Sequence, residues 1–306
     1  MLYLIFSLLL IAGKPGGGIL EALKNKSSEI ALKFASISEL SMLYELNCHP
    51  KPGLITPFSN GSHKDMNYLT MLDSIKVIVQ KFSTIDVPLT LKDSPSSFEL
   101  DSVAIYLKRF GQEVEKKMFE ASGGVNTYKG AIFILLILFV ACQLDSCSVE
   151  DALLKASVFC HKLPQFKVRS NDFTTAGLKA YNTFKIGGIR DEVLNGFPTI
   201  RYNLNSFREE WFSLDKNLCI IKNIIRNMCL CEDTTLLNRH FDSNSLYHVQ
   251  TKASNFLARI NEGDNIITVA NEFNVFMTSF NFSPGGAADL TIATIFLSLW
   301  FGDIYV

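Results

Sequence analysis

Apolar residues return every three or four positions along most of the chain, the spacing of helices that each bury one face. Ile30, Phe34, Ile37, Leu40 and Tyr44 mark the first such face, which has to stop before Pro50 and Pro52 because proline lacks an amide donor and restricts the residue ahead of it. Tyr68, Leu72, Ile75, Val79 and Phe82 repeat the pattern. The same periodicity predicts helices over residues 102–122, 126–142, 149–161, 175–184, 218–230, 246–260, 266–280 and 287–300. No run alternates with the period of two that a half-buried strand requires. Polar breaks at 86–97, 163–172 and 201–205 read as loops too short to be interdomain linkers, and no internal repeat is visible. The pattern predicts an all-α protein: a single large helical domain over residues 29–306, with its chemistry in loops at helix ends.

Composition fits that picture. Hydrophobic residues make up 48% of the 306 positions and charged residues 19%, enough for a large core and too apolar for a disordered chain. A formal charge of −1 leaves no basic excess for binding a phosphate backbone, so a nucleic-acid partner is not expected. Seven cysteines without a CxxC pair read as free thiols in a reducing compartment. Residues 1–28 begin with MLYLIFSLLLIA and continue into GKPGGG, an apolar segment and linker without the basic flank or cleavage pattern of a signal peptide. That segment is also shorter than the ~20 residues a membrane span needs. It reads as a core or interface segment, with a signal or anchor as the rival reading. Asn-x-Ser patterns at Asn60 and Asn281 fall inside the loops expected to form a site, where a glycan would block it. A cytoplasmic location without membrane association is the expectation.

Polar residues concentrate in five islands: 47–66 (NCHPKPGLITPFSNGSHKDM), 115–130 (EKKMFEASGGVNTYKG), 174–198 (TTAGLKAYNTFKIGGIRDEVLNGFP), 232–240 (EDTTLLNRH) and 282–290 (FSPGGAADL). In the second, two glycines allow close approach of a ligand, Asn126 or Thr127 can cap the next helix, and Lys129 falls in its first turn. The fifth repeats the idea, with Gly285 and Gly286 opening a helix whose free amides would seat phosphate. A turn, a first-turn acid matched to the helix dipole or a capped loop residue accounts for each island taken singly. Five in one helical chain favour a site. Asp65, Glu115, Asp191, Glu192, Asp233 and Asp289 lie beside Lys51, Lys64, Lys129, Arg190 and Arg239, a mixture that suits a magnesium-nucleotide better than a surface ion-pair network. No GxxxxGK[ST] is present, which excludes a P-loop.

These islands resemble one family, the triphosphoribosyl-dephospho-coenzyme A synthases that make the prosthetic-group precursor for an acyl carrier subunit of citrate lyase or malonate decarboxylase. PKPGL (50–54), GSHKDM (61–66), GVNTYKG (124–130), GGIRDEVLNGFP (187–198), EDT with Arg239, and SPGGAADL (283–290) appear in family order between about residues 40 and 299. The resemblance implies an all-α fold and a transfer of the 5-triphosphoribosyl group of ATP to the 2′-hydroxyl of 3′-dephospho-coenzyme A with release of adenine. It implies a β-to-α change at C1′, hence a single inverting displacement. Such chemistry requires negative charge near an oxocarbenium-like carbon, a base for the acceptor hydroxyl, a proton for adenine, and Mg²⁺ with cations for the triphosphate.

On this reading the catalytic candidates are Asp65, Glu115, Glu192 and Tyr128. Lys51, His63, Lys64, Asn126, Lys129, Arg190, Arg239, Gly285 and Gly286 are the candidates for substrate and phosphate, and Asp65, Asp233 and Asp289 for Mg²⁺. The product would pass to a holo-acyl-carrier-protein synthase; a homodimer stays open. The chain departs from the family pattern where NTHKG reads NTYKG, placing Tyr128 at an expected histidine, and where Asp191 appears in GIRDE. These departures keep a second reading open, a non-catalytic nucleotide- or coenzyme-binding paralogue, and a third is a metal-dependent phosphohydrolase.

Overall fold

Phe34 stands where four helices meet. Its ring lies 4.6 Å from that of Phe82, 4.5 Å from Phe139 and 5.8 Å from Phe296, drawing the first, second, fourth and last helices of the fold into one aromatic cluster. The computed structural model describes residues 19–87, 97–162, 176–240 and 242–305. The apolar start at 1–18 and the expected loop at 163–172 lie outside the described residues. Among those described there are thirteen helices and no strand. They are α1 (Ile19–Asn47), α2 (Tyr68–Phe82), α3 (Ser97–Ala121), α4 (Lys129–Gln143), α5 (Val149–Lys162), α6 (Ala176–Phe184) and α7 (Ile189–Leu194). After these come α8 (Pro198–Ser213), α9 (Lys216–Leu230), α10 (Thr234–His240), α11 (Ser243–Asn261), α12 (Ile266–Ser279) and α13 (Gly285–Phe301).

Helix α13 is the axis. It is apolar on nearly every side, from Ala287 through Leu290, Ile292 and Ile295 to Leu297, all buried. A helix of that kind has to be surrounded, and α1, α4, α8 and α9 pack around it. Thr291 and Thr294 are buried on it and donate their hydroxyls to the Ala287 and Leu290 carbonyls, so their polar groups are satisfied within the helix.

Two expectations change. The stretch 201–205 is not a loop; it lies inside α8. Pro198 in the first turn fits helix initiation, and Ile200, Asn203, Leu204, Phe207 and Trp211 form the buried face. Asn203 is buried because its amide donates to Asn227 Oδ1 at 2.9 Å across the α8–α9 contact, which hides a core position behind a polar residue. On α1 the deepest stripe is Ala31, Phe34, Ala35, Ser38, Ser41, Met42 and Glu45, while Ile30, Ile37 and Tyr44 are half-buried. Its small side chains carry little hydrophobic signal. Among the described residues no helix is long and apolar enough to cross a membrane.

Candidate active site

A cavity of about 850 Å³ opens among the helix ends. One side is built by regular periodicity. Ala104, Leu107, Gly111, Glu115 and Phe119 fall on one stripe of α3, and Ile132, Phe133 and Leu136 face the same space from α4. Gly111 permits their approach, since a Cβ there would lie 3.2 Å from Leu136 Cδ1. This wall is apolar except for Lys108, Gln112 and Glu115 along its edge. The opposite side is polar, and each of the five islands contributes to it: Lys51 and His63, then Asn126 to Gly130, Gly187 and Arg190, Thr234 and Thr235, and Ser283 to Asp289.

At the polar end, Lys51 does not stand free. Its ammonium donates to the Glu45 carbonyl at 2.7 Å and to Glu45 Oε1 at 2.6 Å, with both side chains almost wholly buried. A lysine has three donors, so one remains for a ligand. Lys129 pairs with Glu115 at 2.9 Å, joining α4 to α3 across the cavity. Asn126 accepts from the Lys129 amide at 3.1 Å, although the N-cap position of α4 is held by Tyr128, which makes no side-chain cap bond. Tyr128 is 2% exposed, and its hydroxyl has no hydrogen-bond partner among the described residues. Burial pushes the phenol well above its ordinary value, with Glu45 and Asp289 adding to the shift, so at neutral pH it is a proton-bearing donor. Asp289 accepts from the Ala131 amide; burial, then Asp233 and Glu45, push its carboxyl well above the usual carboxylate range. Gly130 is required where it passes this acid, because a Cβ would lie 1.9 Å from Asp289 Oδ2.

His63 also lines the cavity, held from behind. Its Nε2 lies 2.8 Å from Ser283 Oγ, its Nδ1 is 2.9 Å from Arg239 Nη2, and Asp65 Oδ1 stands 3.5 Å from Nδ1. Burial, reinforced by Arg239, lowers the imidazole to about 4, so the Asp65 contact is not a charged pair at neutral pH. Arg239 itself donates to the Ser62 carbonyl at 2.6 Å and the Asn281 carbonyl at 3.3 Å, tying the first island to the residue that precedes the fifth. It is not among the residues that line the cavity.

The expected phosphate seat at the start of α13 has another occupant. Asp233, fully buried, takes the Gly286 amide at 2.7 Å and the Ala287 amide at 3.3 Å on Oδ2, while Oδ1 takes those of Thr235 and Leu236. Burial pushes this carboxyl up and the four amides oppose the shift. The amide of Gly286 is therefore capped from inside the protein, although Gly285 and Gly286 still form cavity wall. Asp233→Asn would turn a side-chain N–H₂ toward one of the two amide pairs. Unpaired buried donors cost on the order of 1–3 kcal/mol each, so urea unfolding is expected to show a loss of about 2–3 kcal/mol. An unchanged midpoint would contradict the cap.

Other candidates lie outside the cavity. Glu192 accepts from the Thr199 hydroxyl and amide in the first turn of α8, and its burial raises its carboxyl. Lys64 and Asp65 are exposed at the head of α2. Of the expected metal carboxylates only Asp289 faces the cavity, and among the described residues no three His, Cys, Asp or Glu side chains gather as a metal site. A magnesium-nucleotide needs less, since one or two carboxylates and the phosphate oxygens complete its shell; Asp289 on the cavity wall fits that demand. Sequence reading missed Glu45, Lys108 and Gly130, and Ser283 stood in a motif without a role. A second depression, of about 480 Å³ around Thr56–Asn60 and Asn67–Leu69, contains no acid or base except Tyr68.

In this all-α chain one cavity sets lysines, an arginine and carboxylates against an apolar wall. Comparison with known proteins makes this specific. Residues 31–303 match the model of the CitG family, ATP:dephospho-CoA triphosphoribosyl transferase, and the chain belongs to that family of transferases. It is 30% identical over 273 residues to a probable 2-(5''-triphosphoribosyl)-3'-dephosphocoenzyme-A synthase of Lactiplantibacillus plantarum, covering 85% of this chain and 94% of that one. A protein of the same description from Streptococcus mutans is 29% identical over 290 residues, 87% of this chain and 96% of the relative. Protein CitXG of Leuconostoc mesenteroides is 30% identical over 281 residues, 86% of this chain but 58% of that protein. No solved structure matches the chain.

Proposed function

We propose that the cavity transfers the 5-triphosphoribosyl group of ATP to the 2′-hydroxyl of 3′-dephospho-coenzyme A. The observation that carries this reading is the meeting of all five islands in one cavity, with an apolar wall opposite them. Lys129, Arg190 and the spare donor of Lys51 face the triphosphate; the α3–α4 wall suits the pantetheine arm. The bond between C1′ and the acceptor oxygen forms as the bond from C1′ to adenine N9 breaks. The electron pair leaves with adenine, the acceptor proton goes to a carboxylate, and adenine gains a proton. Asp289 and Glu115 are the carboxylates on the cavity wall that would take this proton, and the Tyr128 hydroxyl would supply the one adenine gains. Mg²⁺, held by Asp289 and phosphate oxygens, would neutralise triphosphate charge when bound. The product would then be available to an enzyme that loads an acyl carrier subunit.

Incubation with ATP and 3′-dephospho-coenzyme A, followed by mass spectrometry, is expected to show free adenine and a triphosphoribosyl adduct of the coenzyme in equal amounts. Release of phosphate instead would establish a phosphohydrolase. Binding of both ligands without adenine release would establish a non-catalytic binding protein.

A further inference from the structure

Two contacts fix how α3 and α4 run past each other along the cavity. Lys129, at the start of α4, pairs with Glu115 at 2.9 Å; one turn earlier on α3, a Cβ on Gly111 would lie 3.2 Å from Cδ1 of Leu136, two turns further along α4. The helices are antiparallel here, so the wall they form has a direction. Its charged end is at Glu115 and Lys129, and its other end, toward Ala104, Leu107, Leu136 and Ile137, is apolar. Lys108 stands on α3 between the two. Lys51 and Lys129 each pair with a carboxylate, whereas Lys108 has no ion pair or hydrogen bond among the described residues. At the rise of an α-helix it lies ~10 Å along the axis from Glu115. Gly111 sits between them in mid-helix, where glycine costs stability relative to alanine. Beyond its own helix, Leu136 Cδ1 is the one atom among the described residues that a Cβ would meet within 4 Å, and the tip of a leucine side chain can give way. Packing against α4 therefore does not demand the glycine, and the space it leaves opens on the cavity.

Resting on the function proposed above, we infer that α3 seats the acceptor coenzyme, with Lys108 as a binding residue for its diphosphate and Gly111 as the point where the ligand lies against the helix. Dephospho-coenzyme A carries its reacting hydroxyl, its diphosphate and its pantetheine arm in that order along the molecule. The wall offers a carboxylate, a cation and an apolar stretch in the same order: Glu115, Lys108, then Ala104 and Leu107. ATP does not match it. With its triphosphate at the charged end, ATP would set an uncharged adenine beside Lys108.

Titration calorimetry on the full-length protein, with dephospho-coenzyme A and with ATP in separate runs, tests the assignment. Lys108→Met is expected to lower affinity for the coenzyme about tenfold, the low end for a hydrogen bond to a charged group. The unfolding temperature and the affinity for ATP should stay unchanged, and Lys108→Arg should restore most of the coenzyme affinity. Gly111→Leu is expected to weaken the coenzyme as much, again without effect on ATP. Where that variant fails to fold, Gly111→Ala, a better helix former, should raise the unfolding temperature and still weaken the coenzyme. 4′-Phosphopantetheine, the arm and one phosphate without the nucleoside, should compete with dephospho-coenzyme A and leave ATP binding untouched. Unchanged coenzyme affinity in Lys108→Met or in the Gly111 variant, an equal loss for ATP, or competition of 4′-phosphopantetheine with ATP instead would overturn the inference. Wild-type protein that does not bind dephospho-coenzyme A overturns both this inference and the proposed function. Should it bind as expected and release no adenine, the proposed reaction falls and the acceptor seat stands.

Discussion

Asp289→Asn is expected to lower adenine release from ATP and 3′-dephospho-coenzyme A by at least ~10²-fold, the scale of a lost acid–base group, while leaving the fold at least as stable as before. Both halves follow from one environment. The carboxyl is buried near Asp233 and Glu45, with no cation bonded to it among the described residues, and its folded value is raised well above the unfolded one. The charged form therefore opposes folding. That penalty is absent below the unfolded carboxyl value, near 4, and grows as pH rises through the raised folded value. Asparagine keeps the volume and still accepts from the Ala131 amide, so the variant should match wild type in acid and exceed it at neutral pH. A residue whose removal stabilises the protein and abolishes turnover is held for chemistry. Thermal unfolding beside the adenine assay checks this; a variant that keeps most of its turnover removes Asp289 from the reaction.

Lys51→Met is expected to be the most destabilising single change at the site. Its partner Glu45 would be left as an unpaired charge with a side chain 3% exposed. Breaking a buried ion pair from one side costs about 3–5 kcal/mol, which for a protein of this size is a fall in Tm on the order of 10 °C. Replacing both partners, Lys51→Met with Glu45→Leu, removes the stranded charge and should recover most of the loss. Catalysis should not recover with it, because the third donor of Lys51 is gone. Recovery of both stability and full ATP affinity in the double variant would make the pair purely structural.

The helices were legible because periodicity reports burial directly, and it failed where burial is polar. Helix α8 was hidden by Asn203, whose partner Asn227 lies on another helix and leaves no local trace. The islands were legible because glycine, proline and charge at helix ends mark places where backbone and ligand come close, and all five reach the cavity. The duties of individual charges were not. Lys51, Arg239, Asp233 and Glu192 turn toward protein partners, and a sequence shows a charge without showing what it faces. Glu45 did leave a signal: it follows Phe34 by eleven residues, about three turns of helix, which puts an acid on the buried face of α1 and predicts a buried cation beside it.

The measurement that bears most directly on the account is a crystal structure with ATP and Mg²⁺ bound. The triphosphate is expected against Lys51, Lys129 and Arg190, the Asp289 carboxylate on the metal or beside C1′, and the α3–α4 wall left clear for the acceptor. Nucleotide bound elsewhere, or triphosphate on the exposed Lys64 and Asp65 at the head of α2, would contradict it.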